Sequence, residues 1–564
     1  MKNILILGAG TGGTIIANTL AKILPNNDYA ITVIDRSDIH IYQPGLLFIP
    51  FKLYGYESPA DIVKPVYDLL NKSIHFIKAD IYRIDHALNT VLTSEGNVDY
   101  DWLICSLGCH IAPEELEGCV ESIGDEVHTF YTLPYALAFQ RALRNMRSGR
   151  FVLDIAELPI KCPVAPIEAV FLAEYYFHKR GIRDQIDITL VTPYSGAFTK
   201  ANANEVLSKT ATEKNINIVS NFEVLKIDNE HKEIVAYDGK TIPYDFLCIV
   251  PPTMGPNVIA DSGLGNDMNY GLTDHRTLKS KKVNNIYFLG DNADVPTSKA
   301  GSVAHFEAET VINNLLLELD GKTPLPSFGG HANCFIESGY HKAFLVDFNY
   351  DVEPLPGKFP LPYAGPFSLL EETYLNHLGK MAFKWVYWNL LVSGRMPEIP
   401  FVPAHMSLVG KDLSKTAQIR HSHAGHIFDV MTQDVITISQ GSPLTKAAKL
   451  MHKHHISGLP VVNTGRELVG IITEADFVCA IDIESESPLD KLIATFIRKG
   501  RSQKIGSVVD DIMTPEPITV EAEASLQDAV NLMATHNVNQ LIVSDDHKHV
   551  AGIVARSDLL RVFG

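Results

Sequence analysis

The sequence predicts an α/β protein, with two Rossmann-like, dinucleotide-binding-type domains followed by a C-terminal α+β pair of small repeated modules. Three observations predict it. Strand, turn, helix and strand follow one another in residues 2–35, and a second unit of this kind occupies 151–193. The final stretch of about 140 residues contains one module twice.

In the first unit KNILILGAG reads as an apolar strand, TGGTIIANTLAKIL as a helix and AITVID as the next strand. The second unit reads FVLDIA, then a helix through PIEAVFLAEYYFHKRG, then IDITLVTP. At 285–318 an apolar strand, NIYFLGD, precedes a long helix and returns to the first domain. Residues 325–366 are rich in Pro, Gly and aromatics and have no strong period. The segment 367–392, FSLLEETYLNHLGKMAFKWVYWNLLV, has helical apolar spacing with Lys380 and Lys384 interleaved. A polar linker with Pro397, Pro400 and Pro403 follows. In the repeats, Val430-Met431-Thr432 matches Ile512-Met513-Thr514, Gly470-Ile471 matches Gly552-Ile553, and Asp476 matches Asp558, all at an offset of 82 residues. The expected division is a first dinucleotide domain (1–115 and 265–325), a second (116–264), a segment 326–395, a linker 396–426, and modules at 427–480 and 508–564.

The 564 residues are 20% charged with net charge −18, which argues against a nucleic-acid partner, because phosphate binding needs clustered Lys and Arg. No run reaches the ~18 apolar residues of a membrane span. The opening ILIL is too short for a signal peptide and lacks a cleavage site, so a cytoplasmic chain is expected. Seven cysteines are too few for a disulfide framework in so long a chain and point to individual thiols.

Gly8, Gly10 and Gly13 form G-x-G-x-x-G between a strand and a helix. That pattern gives a tight turn, close backbone approach to a pyrophosphate, and an anion site at the helix N-terminus. Asp35, ending the next strand, is placed to accept a ribose hydroxyl. Gly290-Asp291 after its apolar strand resembles the second flavin motif of the two-dinucleotide-domain, FAD-dependent disulfide-reductase-like flavoproteins, where the Asp binds the ribityl chain. FAD is the expected cofactor. The second strand–helix junction, Asp154 to Glu168, contains no glycine, which argues against NADH as reductant. Cys162 stands there before a helix and beside Lys161, a setting that favours thiolate. A buried small hydrophobe is the plainer alternative.

Cys162-Pro163-x-x-Pro166-x-Glu168, Asn333-Cys334-Phe335 before Gly339, Tyr42-Gln43-Pro44 and Gly290-Asp291 together resemble the sulfide:quinone oxidoreductase and flavocytochrome c sulfide dehydrogenase family over residues 1–395. The resemblance implies that Cys162 and Cys334 form a disulfide or polysulfide bridge over the flavin. Sulfide would attack it, leaving a persulfide on Cys162, and the Cys334 thiolate would pass two electrons to FAD. Glu168 is the acid/base candidate, or a carboxylate favoured by the helix N-terminus. Cys105, Cys248 and Cys479 read as packing. Many quinone-branch members have a third reactive cysteine near VHTFYTLP, sometimes linked to the flavin; here there is none, and Cys109 and Cys119 leave covalent attachment open.

With no C-x-x-C-H haem site, a membrane quinone is the expected acceptor. The 367–392 segment suits a monotopic contact with the cytoplasmic membrane surface, lysines at headgroup level, and Phe383, Trp385, Tyr387 and Trp388 are the quinone candidates. A core or dimer helix is the alternative. The repeats resemble a tandem pair of CBS domains (cystathionine-β-synthase-type modules). That implies AMP, ADP or ATP binding through Thr473, Asp476 and Asp558, with Ala555 in place of a hydroxyl in the second copy, and association into a homo-oligomer. The histidines at 421–426 and 452–455 lack Cys or carboxylate partners at ligand spacing, so no metal is expected. Alternatives to sulfide oxidation are a flavin reductase for another sulfur species, a CBS-linked redox or energy sensor with little turnover, and, less favoured, a type II NADH:quinone reductase.

Overall fold

A computed structural model describes residues 1–350, 352–361 and 365–395, and from the C-terminal region 427, 431–432, 435–454, 456, 458–473, 476–477, 508–522, 524, 528–529, 532–533, 536, 538, 540–545 and 548–555. The chain divides into two compact units, 1–236 with 241–420 and 237–240 with 421–564.

The first unit holds two five-stranded parallel sheets. In one, Lys2–Leu7 lies between Trp102–Cys105 and Tyr29–Asp35, with Ile286–Phe288 and His75–Lys78 at the edges. The strand at 286 therefore joins the first domain across 180 residues of sequence, as its apolar run before Gly-Asp requires. Leu5 and Leu7 face one core while Ile4 and Ile6 face another, the period-two alternation of a strand covered on both sides. In the second sheet the order is Val127–His128, Phe246–Val250, Gly149–Ile155, Ile186–Val191 and Ile216–Val219.

Three helices position the candidate site. Helix α1 (Thr11–Ile23) follows the first glycine turn, α2 (Ala165–Lys179) follows Cys162, and α3 (Gly301–Leu319) follows the Gly290-Asp291 strand. Helix α2 is buried along nearly its whole first half, so its one early carboxylate, Glu168, is taken into the core with it.

Residues 325–366, read from sequence as aperiodic, contain strands. Ala332–Gly339 and Lys342–Phe348 form an antiparallel pair, extended by Gly365–Leu369 and Gly357–Leu361. Alternation is obscured because Glu337 and Asp347 sit at buried positions. The 367–392 segment is likewise not one helix. It begins as a strand, then Thr373 caps helix α4 (Tyr374–Val386) by accepting from the Asn376 amide at 3.1 Å, and a π-helical turn, Tyr387–Leu391, ends it. No helix among the described residues is long and apolar enough to cross a membrane.

In the second unit the 82-residue offset becomes a reciprocal exchange of strands. Thr514 of the second copy pairs with Ile471 of the first, and Thr432 of the first pairs with Ile553 of the second. The glycines are needed for the same reason in each copy. A Cβ on Gly470 would lie 2.6 Å from the Met513 sulfur, and one on Gly552 would lie 2.4 Å from that of Met431.

Candidate active site

The first glycine turn fits a dinucleotide cofactor. Gly8 has φ +99°, and a Cβ there would lie 2.2 Å from the Ser106 carbonyl oxygen; a Cβ on Gly13 would lie 1.9 Å from the Gly8 oxygen. Nothing stands within 4 Å of a Cβ on Gly10, whose outward side is open to a phosphate. Gly10 caps α1 with no side-chain hydrogen bond and no acid lies in its first turn, so the N-terminal amides are free for an anion. Asp35, expected to meet a ribose, accepts with its carboxylate from the amides of Ala9 at 2.7 Å and Ser37 at 2.8 Å, fixing the turn itself.

The second junction has no such cradle. The backbone at Lys161 bridges to Lys299, and the Cys162 amide donates to the Lys299 carbonyl at 2.8 Å. The Cys162 loop is thereby tied to the loop after Gly290-Asp291. Cys162 itself has φ +56°, an uncommon conformation for a residue with a side chain.

The electrostatics correct the sequence expectation for Cys162. Lys161 pairs with Asp291 at 3.4 Å, and α2 begins only at Ala165. Burial, reinforced by Cys334 and Glu168, pushes the Cys162 thiol far above its ordinary range. Cys334 receives the stabilisation instead. Its sulfur lies 4.0 Å from the hydroxyl of Ser302 in the first turn of α3. Burial raises it to about 11, with Lys380 and the Ser302 hydroxyl pulling downward. Both residues are free thiols in the structure, half-buried against the same core. Of the two, Cys334 ionises more easily.

Glu168 is almost fully buried and forms an ion pair with Lys380 of α4. It also accepts from the Glu337 amide at 3.2 Å. Burial raises Glu168 to about 7, against the pull of Lys380. Lys380 was missed as a site residue because a lysine in an amphipathic helix reads as a headgroup contact. It points inward and donates to the Phe335 carbonyl at 2.7 Å. Lys384 also turns to the protein, 4.6 Å from the Tyr56 ring centre. The opposite face of α4 exposes Tyr374, Leu375, Leu378 and Trp385.

The four quinone candidates separate. Trp385 is 61% exposed, Phe383 is half-buried, and Tyr387 and Trp388 are buried. Burial holds His40 down at about 4, so it is neutral. Its Nδ1 lies 2.8 Å from the Ala9 carbonyl and must donate. Its Nε2, 2.6 Å from the Tyr387 hydroxyl, therefore accepts from it. The same hydroxyl is 2.8 Å from Thr11 Oγ1, the first residue of α1. The C-terminal aromatic segment is thus fastened to the dinucleotide turn.

Of the ambiguous cysteines, Cys109 lies 3.8 Å from Asp291, while Cys119 is buried in a separate core with Val127 and Val152. Cys105 and Cys248 are fully buried in strands, and Cys479 lies outside the described residues. In the first repeat, Asp476 accepts from the Thr473 amide and hydroxyl, both at 2.7 Å. Asp558 and the 396–426 linker lie outside the described residues.

Known proteins resemble this chain. The chain is 28% identical over 404 residues to the mitochondrial sulfide:quinone oxidoreductase of Dictyostelium discoideum, 70% of this chain and 87% of the relative. A sulfide-quinone reductase of Aquifex aeolicus is 26% identical over 340 residues, 56% of this chain and 77% of the relative. The solved structure of the sulfide:quinone oxidoreductase from Aquifex aeolicus matches with a TM-score of 0.59 at 22% identity, over 70% of this chain and 93% of that one, a likeness of fold. The CBS domain family model matches residues 427–483 and 509–564.

Proposed function

We propose that this chain, an FAD oxidoreductase related to the sulfide:quinone oxidoreductases and ending in two CBS domains, oxidises sulfide to persulfide or polysulfide sulfur and delivers the electrons to a membrane quinone. The observation that carries the reading is the meeting of Cys162, Cys334, Glu168 and Lys380 in one buried place, where the two thiols differ in acidity and a carboxyl titrates near neutrality.

The chemistry begins from a Cys162–Cys334 disulfide. HS⁻ attacks the Cys162 sulfur and the S–S bond breaks. Cys162 then carries a persulfide, Cys162–S–SH, and Cys334 departs as thiolate. Departure in this direction is favoured because Cys334, beside Lys380 and Ser302, is the more acidic thiol. Glu168 takes the persulfide proton. The two anionic sulfurs then join as Cys162–S–S–S–Cys334 with loss of two electrons, ready for the next HS⁻. Bound FAD supplies the two-electron acceptor for that step. Gly8, Gly10 and Gly13 with the α1 N-terminus would hold its pyrophosphate, Asp35 a ribose, and Asp291 the ribityl chain.

The exposed apolar face of α4 supports a monotopic contact with the cytoplasmic membrane surface, with quinone entering beside Phe383, Tyr387 and Trp388. The CBS pair is assigned to adenine-nucleotide sensing through Thr473 and Asp476.

The test is anaerobic flavin spectroscopy. Sulfide should bleach the wild-type flavin, a short-chain quinone should restore it, and Cys162→Ala and Cys334→Ala should each fail to bleach. Bleaching by NADH and not by sulfide would overturn the proposal.

A further inference from the structure

A second line of buried polar groups leads away from Glu168. Glu337 follows three residues after Cys334 on the same strand and is 0% exposed. Its amide donates to Glu168 Oε1 at 3.2 Å. Its carboxyl Oε1 is buried without a well-formed hydrogen bond among the described residues, the Tyr54 hydroxyl stands beside the carboxyl group, and Oε2 lies 2.8 Å from Nδ1 of His377. His377, 4% exposed, places its Nε2 3.3 Å from Nδ1 of His341. His341 is exposed on the turn between the two antiparallel strands. The backbone of Glu337 therefore ties Glu168 to a side-chain series, Glu337, His377 and His341, that ends at water.

Their surroundings suit proton movement. Helix α4 supplies Lys380 and His377, the strand supplies Glu337, and the first domain supplies Tyr54, Tyr56 and Tyr42. Tyr54 packs edge-on against both histidines, with ring centres 4.8 Å from His377 and 5.3 Å from His341. The steps at the two sulfurs use none of Glu337, His377 and His341, and a buried carboxyl group is costly unless partnered.

Resting on the proposed sulfide chemistry, we propose that Glu337, His377 and His341 conduct the proton taken by Glu168 out to solvent. Each turn that begins with HS⁻ leaves one proton on the persulfide, and that proton must depart before the two sulfur anions can join with loss of two electrons. Glu168 receives it inside the core, where water cannot disperse it. Transfer to the carboxyl group of Glu337, near enough for its charge to act on Glu168, then through His377 to His341, resets Glu168 as the base. These three are positioning and relay residues: none touches sulfur.

The experiment is anaerobic stopped-flow mixing of the flavin-loaded full chain with sulfide in weak buffer, following flavin bleaching and a pH-indicator dye together. The variants are Glu337→Gln, His377→Ala and the exposed His341→Gln, which perturbs folding least. Expected are proton release to the dye slowed about 10-fold relative to bleaching, a larger solvent deuterium isotope effect on that release, and its recovery in His377→Ala on adding imidazole, with flavin content unchanged in His341→Gln. Wild type that bleaches while all three variants bleach and release protons at the wild-type rate overturns the relay alone. Wild type that sulfide fails to bleach overturns the proposed function and the relay with it.

Discussion

Replacing Lys380 by Met separates the electrostatics of the site from its packing, because Met keeps the aliphatic stem and removes the charge. Lys380 is the foremost influence holding both Cys334 and Glu168 down against burial. An opposite charge at such range is worth roughly 1–3 pKa units. Cys334, at about 11 with the lysine present, would then ionise about 10- to 1000-fold less readily. Cys334 is the leaving thiol, and a less acidic thiol leaves more slowly, so sulfide-driven bleaching should slow several-fold. Glu168 gives the sign of the pH dependence. It is a base only above its pKa of about 7, so the wild-type rate rises as pH rises through that value. Losing Lys380 raises the Glu168 pKa further and moves the midpoint to higher pH. The assay is anaerobic stopped-flow bleaching across pH 5.5 to 9, with Lys380→Arg retaining the charge and most of the rate. Glu168→Gln separates this ionisation from that of sulfide itself. A midpoint that moves to lower pH, or a Lys380→Met rate equal to wild type, would refute the reasoning.

Four further outcomes are expected. Gly13→Ala forces a Cβ against the Gly8 carbonyl at 1.9 Å, so overpacking of about 1–3 kcal/mol and loss of bound flavin should appear in melting and in flavin-to-protein absorbance. Tyr387→Phe strips partners from buried His40 Nε2 and half-buried Thr11 Oγ1, costing about 1–3 kcal/mol in denaturant titration; an unchanged midpoint would discount this link. Leu375→Asp with Leu378→Asp, on the exposed face of α4, should reduce co-sedimentation with anionic lipid vesicles several-fold while turnover with a water-soluble quinone stays at the wild-type level. Asp476→Asn should weaken AMP or ATP binding measured by calorimetry, and equal affinity would remove Asp476 from the nucleotide site.

What the sequence by itself determined is whatever depends on short-range geometry. A strand followed by Gly8-x-Gly10-x-x-Gly13 can only turn tightly into a helix, and the structure shows the clashes that any side chain at Gly8 or Gly13 would meet. The same holds for the strand before Gly290-Asp291 and for the 82-residue repeat, whose paired Met and Gly residues meet across the exchanged strands. Cys162, Glu168 and Cys334 were legible because each sits in a local motif.

Only the tertiary structure decided which charges face them. Glu168 and Glu337 lie 169 residues apart in sequence, and Lys380 comes from a third element whose spacing suggested a membrane surface. In isolation, helix α4 is amphipathic with two sides that could each be wet. Packing against the buried carboxyl of Glu168 selects the lysine face as the inner one and leaves Tyr374, Leu375, Leu378 and Trp385 outside. Periodicity reports that a helix has two faces; the desolvation cost of a distant carboxylate decides which one turns inward. For the same reason the strands at 332–348 were hidden, since Glu337 and Asp347 break the alternation at positions that become buried only when their histidine partners, His377 and His331, fold over them.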